Sequence, residues 1–180
     1  MKPPAKATIE LRLRELPQLF NSMDPSPFVD RDIDPAAEEF IVSWARELPA
    51  KSSLEIVIHL ATPPQPERAA KVESAVQAYF ASRAEIKRHE FRQLLRRGRL
   101  SLMVGLLFLT VCLLISRIFA SRLGQGSLDG IVGTSLTIVG WGAMWRPLEI
   151  YLYDWWPLRD ELRLFERLAG MPVRLVPPTS

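Results

Sequence analysis

Two apolar runs near the middle of the chain, Leu100 to Ile115 and Ile131 to Trp145, are flanked by charged, alternating or amphipathic stretches. Leu100 to Ser116 holds seven Leu with Val104, Phe108, Val111 and Ile115, and it carries no charge. At about −0.3 to −0.6 kcal/mol per large apolar residue, these side chains sum to roughly −4 kcal/mol of insertion free energy. As a helix the run is roughly 25 Å long, slightly short of a hydrocarbon core. Ile118, Phe119 and Ala120 extend it when Arg117 snorkels outward. The second run is diluted by Gly130, Gly133, Gly140, Gly142, Thr134, Ser135 and Thr137. Its insertion is therefore expected to depend on the first run. Small residues let helices approach closely, so Ser101, Gly105, Gly133 and Gly140 are the candidate helix-packing positions. The pattern predicts a two-helix transmembrane hairpin.

Lys and Arg counts orient this hairpin. Arg83, Lys87, Arg88, Arg92, Arg96, Arg97 and Arg99 precede it, and Arg146, Arg159, Arg163 and Arg167 follow it. The connection holds only Arg117 and Arg122. Both termini are expected in the cytoplasm, with Gly124 to Asp129 on the far side. Trp141, Trp145, Tyr151, Tyr153, Trp155 and Trp156 cluster at the cytoplasmic exit, where amphipathic rings favour the headgroup level. Candidate membrane-interface residues are Arg96, Arg97, Arg99, Trp141, Trp145, Arg146, Trp155 and Trp156. Pro147 is expected to break or kink its helix, leaving Leu148 to Trp156 along the interface.

The flanks read as a small α/β domain. Thr8 to Leu13 and Leu54 to Leu60 alternate with period two, and Val173 and Leu175 give a shorter third alternation, so about three strands are predicted. In the second strand Leu54, Ile56, Ile58 and Leu60 form one face, with Glu55, Val57 and His59 on the other. A helix from Pro35 to Leu48 lies between the first two strands. Asp34 is its N-cap, and Ala37, Ile41, Trp44 and Leu48 are its apolar stripe. Strand, helix, strand in that order predicts a parallel pair. After Pro63-Pro64-Gln65-Pro66 a long helix begins, with Val72, Val76, Tyr79 or Phe80, Ile86, Phe91, Leu94 and Leu95 as a rough stripe. Leu158, Leu162, Phe165 and Leu168 mark a final amphipathic helix capped by Gly170. The expected organisation is a cytoplasmic α/β domain over 1–97, the hairpin over 98–146, and a returning interfacial segment, helix and strand over 147–180. The fold class is an α+β membrane protein with the hairpin inserted in the small domain.

Composition changes this picture little. The net charge of +3 is modest, and its excess sits beside the apolar runs. Bilayer lipid, anionic lipid in particular, explains it better than nucleic acid does. Met1 to Lys6 has no apolar h-region, so no cleavable signal peptide is expected. Cys112, the single cysteine, lies inside the first run and reads as a small hydrophobe. His59 and His89 have no partner at metal-ligand spacing and read as satisfied surface histidines. P-loop, GxGxxG and GxSxG patterns are absent. Asp30, Asp32 and Asp34 alternate like the start of a calcium loop, but Pro35 replaces the turn glycine and Ile41 the bidentate Glu. No cofactor and no metal are therefore expected. The long connection from Phe20 to Asp34, with Asp24, Asp30 and Asp32, is the candidate partner-binding loop.

The stretches LFNSMDPSPFVDRDIDPAAEEFIVSWARELP (Leu19 to Pro49) and WRPLEIYLYDWWP (Trp145 to Pro157) resemble those of an uncharacterised group of small bacterial membrane proteins. The resemblance implies a bacterial inner-membrane location and brings no activity or site residues. The leading functional expectation is a non-enzymatic, membrane-anchored interaction or accessory module, a homo-oligomer or the partner of another membrane protein. One alternative is an enzyme acting on lipid or a headgroup through Asp24, Asp30 and Asp32. Another is a subunit of an oligomeric pore or transporter lined by Thr134, Ser135 and Thr137.

Overall fold

A computed structural model describes residues 6–50, 52–123 and 127–177, with side chains resolved in detail outside 119–132. The expected far-side connection, Gly124 to Asp129 with Arg122, and the segment Met1 to Lys6 fall wholly or partly outside that description. The elements are β1 (Lys6–Leu13), a 3-10 turn (Leu16–Leu19), α1 (Pro35–Glu47), β2 (Ser53–Leu60), α2 (Pro66–Leu123), α3 (Ser127–Glu149), a π-helical segment (Ile150–Asp154), α4 (Trp155–Ala169) and β3 (Val173–Val176). They form two compact units, Met1–Arg88 with Asp160–Ser180, and His89–Arg159.

The first unit is built on a three-stranded, all-parallel sheet of order β1-β2-β3. Ile9 aligns with Ile56, Leu11 with Ile58, and Ile58 with Leu175. The predicted alternation sets the faces. Ile9, Leu11, Leu54, Ile56, Ile58 and Leu60 are buried, while Thr8, Glu10 and Arg12 are exposed. Glu55 departs from the expected polar face, because it is buried and paired with Arg174 at 3.2 Å. Ile41, Val42 and Ala45 of α1, Val72, Val76 and Phe80 of α2, and Leu164, Phe165 and Leu168 of α4 complete the core over the sheet.

Asp34 caps α1 as expected: its Oδ1 accepts from the N–H of Ala36 at 2.9 Å and of Ala37 at 3.4 Å. The apolar stripe is corrected. Trp44 is 47% exposed and stands beside exposed Phe40, with ring centroids 6.0 Å apart, while Val42 and Ala45 face the core. Positions 44 and 45 both satisfy an i+3 or i+4 spacing from Ile41, and the small methyl of Ala45 lets the α1 backbone approach the sheet. Similarly on α2, Ala75 and Ala84 are buried and Ile86 is exposed.

In the second unit, α3 runs antiparallel to the His89–Leu123 part of α2. The close approaches fix this. A Cβ on Gly133 would lie 3.1 Å from Ser116 Oγ, one on Gly140 2.8 Å from Leu109 Cδ1, one on Gly105 3.0 Å from the Ala143 carbonyl oxygen, and one on Gly98 2.9 Å from Ile150 Cγ2. Partners descend α2 as they ascend α3. Among the described residues, α2 alone is long and apolar enough to cross a membrane, and 11% of its most apolar window is buried. Of the expected pair of spanning helices, one therefore meets that length and apolarity among the described residues. At Pro147, where a break or kink is expected, the chain stays helical. Proline sits inside α3, and the backbone passes into the five-residue π-helical segment and on into α4.

Candidate functional site

Unit two places the predicted packing residues on the α2–α3 seam. Gly105 and Gly140 are buried and Gly133 is half-buried. Cys112 is 4% exposed and faces α3, where its Cβ lies 3.5 Å from the position of a Cβ on Gly140. Ser101 is half-buried, while Ser116, not singled out from the sequence, takes the place opposite Gly133. The approach to a backbone carbonyl is at Gly105. Pro147 has no N–H, so the Ala143 carbonyl four residues earlier loses its helical donor. Gly105 leaves room beside that oxygen, and Pro147 itself is fully buried there. Of the hydroxyls named for a pore, that of Thr137 donates to the Gly133 carbonyl at 2.9 Å, within its own helix.

The predicted interface residues lie on outward surfaces of this unit. Arg96, Arg97 and Arg99 are exposed on α2. Trp141 and Trp145 are 65% and 74% exposed on α3. Exposed Arg146 donates to Glu149 at 2.8 Å. Trp156 is exposed, but Trp155 is half-buried and its indole N–H donates to the Tyr151 carbonyl at 2.8 Å. That bond reaches a carbonyl in the π-helical segment, and the Arg159 guanidinium lies 5.3 Å over the Trp155 ring. The Trp155 N–H is therefore spent inside the protein rather than on water.

Unit one holds the acidic loop. Asp24 Oδ1 accepts from the Ser26 N–H at 2.9 Å and its Oδ2 from the Asp32 N–H at 2.7 Å. Bonds from the Asp32 backbone, then from Ser26, lower its pKa from 3.8 to about 2. Asp24 is thus a staple across the loop. Asp30 and Asp32 are exposed and do not converge with it. Among the described residues no cluster of His, Cys, Asp and Glu could hold a metal ion.

A polar cluster that sequence reading missed lies nearby. Arg83 donates to both oxygens of Glu38, at 2.9 and 2.7 Å, and Tyr79 Oη–H donates to Glu38 Oε2 at 2.7 Å. Burial pushes the Glu38 carboxyl up, but the Arg83 and Tyr79 bonds outweigh it and hold the pKa below the usual value. Burial and the bond to Glu38 raise Tyr79 above its ordinary range. These residues, with Asn21, Asp32, Ser82 and Ile86, line a cavity of about 310 Å³. All three groups hold fixed protonation states near neutrality, so the cluster ties α1 to α2 and offers no general acid or base. The partners are 41 and 45 residues apart, and only the helix face of Tyr79 and Arg83, four residues apart, hinted at them.

His59 departs from the satisfied histidine expected. Its Nε2 is buried without a hydrogen-bond partner, 3.8 Å from Glu10 Oε2. No family model, curated protein or solved structure matches the chain.

Two predictions follow from this geometry. Gly105→Leu, driven against a backbone carbonyl, is expected to cost about 1–3 kcal/mol of stability in lipid. Gly142→Ala enters open space and is expected to be neutral or stabilising by about 0.5–1 kcal/mol. Denaturation of the two variants in bicelles measures both; equal losses would contradict the packed seam. The second concerns pH. A carboxylate whose folded pKa is depressed contributes stability that is complete above its unfolded pKa and is lost as pH falls through the folded one. For Asp24 that window runs from 3.8 down to about 2. The Asp32 amide signal in NMR is expected to titrate with a midpoint near 2 and to lose that titration in Asp24→Asn. A midpoint near 3.8 would show that the staple is not formed.

Proposed function

We propose that this chain is a non-enzymatic interaction module anchored in the bacterial inner membrane by a two-span helical hairpin, with both termini in the cytoplasm and an oligomeric assembly. The observation that carries the reading is the surface of α2. Among the described residues between Leu100 and Ile118, eleven large hydrophobic side chains are at least 39% exposed. Monomeric soluble proteins rarely expose a contiguous apolar patch of that size. The antiparallel seam with α3 supports a second span, since a helix of marginal apolarity enters lipid more easily when paired. Arginines 96, 97 and 99 support a cytoplasmic flank, and the stretches Leu19–Pro49 and Trp145–Pro157 support the bacterial location by resemblance.

The lipid-enzyme alternative loses its basis, because Asp24 is occupied by two backbone N–H groups while Asp30 and Asp32 are exposed. The pore alternative keeps only Thr134 and Ser135 as exposed hydroxyls.

Membrane fractionation and topology mapping test the proposal. The full chain is expected to sediment with membranes after alkaline carbonate washing. Tags at the two ends are expected to be digested by protease only when the cytoplasmic side is opened. Release into the supernatant, or tags on opposite sides, would overturn it.

A further inference from the structure

We infer that two copies of this chain pair through the outer edge of β1, antiparallel, so that the two three-stranded sheets join into one of six strands. The inference rests on the oligomeric reading above and deepens it by naming the surface and the partner.

The two edges of the sheet are unlike each other. β3 has four residues between Pro172 and Pro177. A short strand bounded by prolines is a poor template for a further strand. β1 has eight residues, KATIELRL, and no proline. Among the described residues no backbone hydrogen bond reaches it from the side away from β2. The Leu13 carbonyl accepts from the Ala61 N–H on the β2 side. Backbone groups alternate along a strand, so the N–H and C=O of Glu10 and Arg12 point outward. Long unguarded edges of this kind recruit another strand, and two-fold pairing is the commonest assembly of identical chains.

Charge selects the register. With Leu11 opposite Leu11 of the second copy, Glu10 faces Arg12 and Arg12 faces Glu10, while Ile9 faces Leu13 on the apolar side. The outward backbone groups of Glu10 and Arg12 then form the hydrogen-bonded pairs of an antiparallel ladder. Shifting the pairing by one step in either direction puts Glu10 on Glu10 or Arg12 on Arg12, which is destabilising. Intermediate shifts put apolar residues against charged ones. Glu10, Arg12 and Thr8 are exposed, so their side chains are free to form these cross-strand pairs on the solvent face. The groups facing this pair from the neighbouring strand are Val57 and His59, with His59 Nε2 3.8 Å from Glu10.

Disulfide mapping reads the register directly. In a Cys112→Ser background, full-length chains carrying Glu10→Cys and Arg12→Cys, with tags of different size, are co-expressed and oxidised in membranes. The 10–12 heterodimer is expected to dominate, because hydrogen-bonded antiparallel pairs hold Cα atoms about 5.5 Å apart, within disulfide reach. Dominance of the 10–10 or 12–12 product would overturn the register, and absence of all three would overturn the edge as the interface. Charge reversal supplies the second readout. Glu10→Arg and Arg12→Glu are each expected to weaken dimerisation roughly tenfold, and the double variant to restore it. Thermal unfolding of the variants separates lost pairing from lost fold. A chain that is monomeric in nanodiscs, or whose oligomer ignores both reversals, overturns the inference. Carbonate extraction of the same samples reports the anchor independently.

Discussion

The apolar surface of α2 between Leu100 and Ile118 is the constraint on which the rest depends. In water, each of its half-exposed large side chains forgoes about 1 kcal/mol, so the stretch forgoes roughly 10 kcal/mol. That is comparable to the whole net stability of a domain, about 5–15 kcal/mol. Its partner helix cannot cover it: α3 meets α2 along a seam of Gly98, Gly105, Gly133 and Gly140, and the large side chains point elsewhere. In the membrane-anchored arrangement proposed above, a bilayer supplies the missing cover. The exposed Arg96, Arg97 and Arg99 at one end of this segment are of the kind that flank a lipid boundary.

The seam also explains how a proline is tolerated. Pro147 leaves the Ala143 carbonyl without its helical donor, and Gly105 provides the space beside it. Three residues on, the backbone widens into a π-helical segment, where the Trp155 indole takes up the Tyr151 carbonyl. In unit one, backbone N–H groups are met by acids: Asp34 serves the first turn of α1, and Asp24 holds the N–H groups of Ser26 and Asp32.

Much of unit one was legible because its signals are local. Period-two alternation marked β1, β2 and β3, and Asp34-Pro35 marked the start of α1. What failed was decided by packing. Whether Trp44 or Ala45 faces the sheet depends on how closely α1 approaches, which spacing from Ile41 does not settle. Glu55 sits on a strand position that reads as solvent-facing and is buried by its pairing with Arg174, more than a hundred residues away in the chain. The Glu38–Tyr79–Arg83 cluster joins two helices in the same way. Whether Pro147 breaks or only bends its helix depends on what stands beside the freed carbonyl, which is not a local property. Of the candidate site residues, Gly105, Gly133 and Gly140 were legible as small residues in an apolar setting, whereas Asp24, offered as part of a partner-binding loop, also staples that loop through the Ser26 and Asp32 N–H groups.

One measurement bears most directly on the anchor. A spin label at Leu107→Cys, in a Cys112→Ser background with the chain reconstituted in liposomes, reports whether dissolved oxygen or a water-soluble nickel chelate reaches that side chain. Lipid burial predicts high collision rates with oxygen and almost none with the chelate. Free access of the chelate to position 107 would mean that this surface faces water, and the account would be wrong.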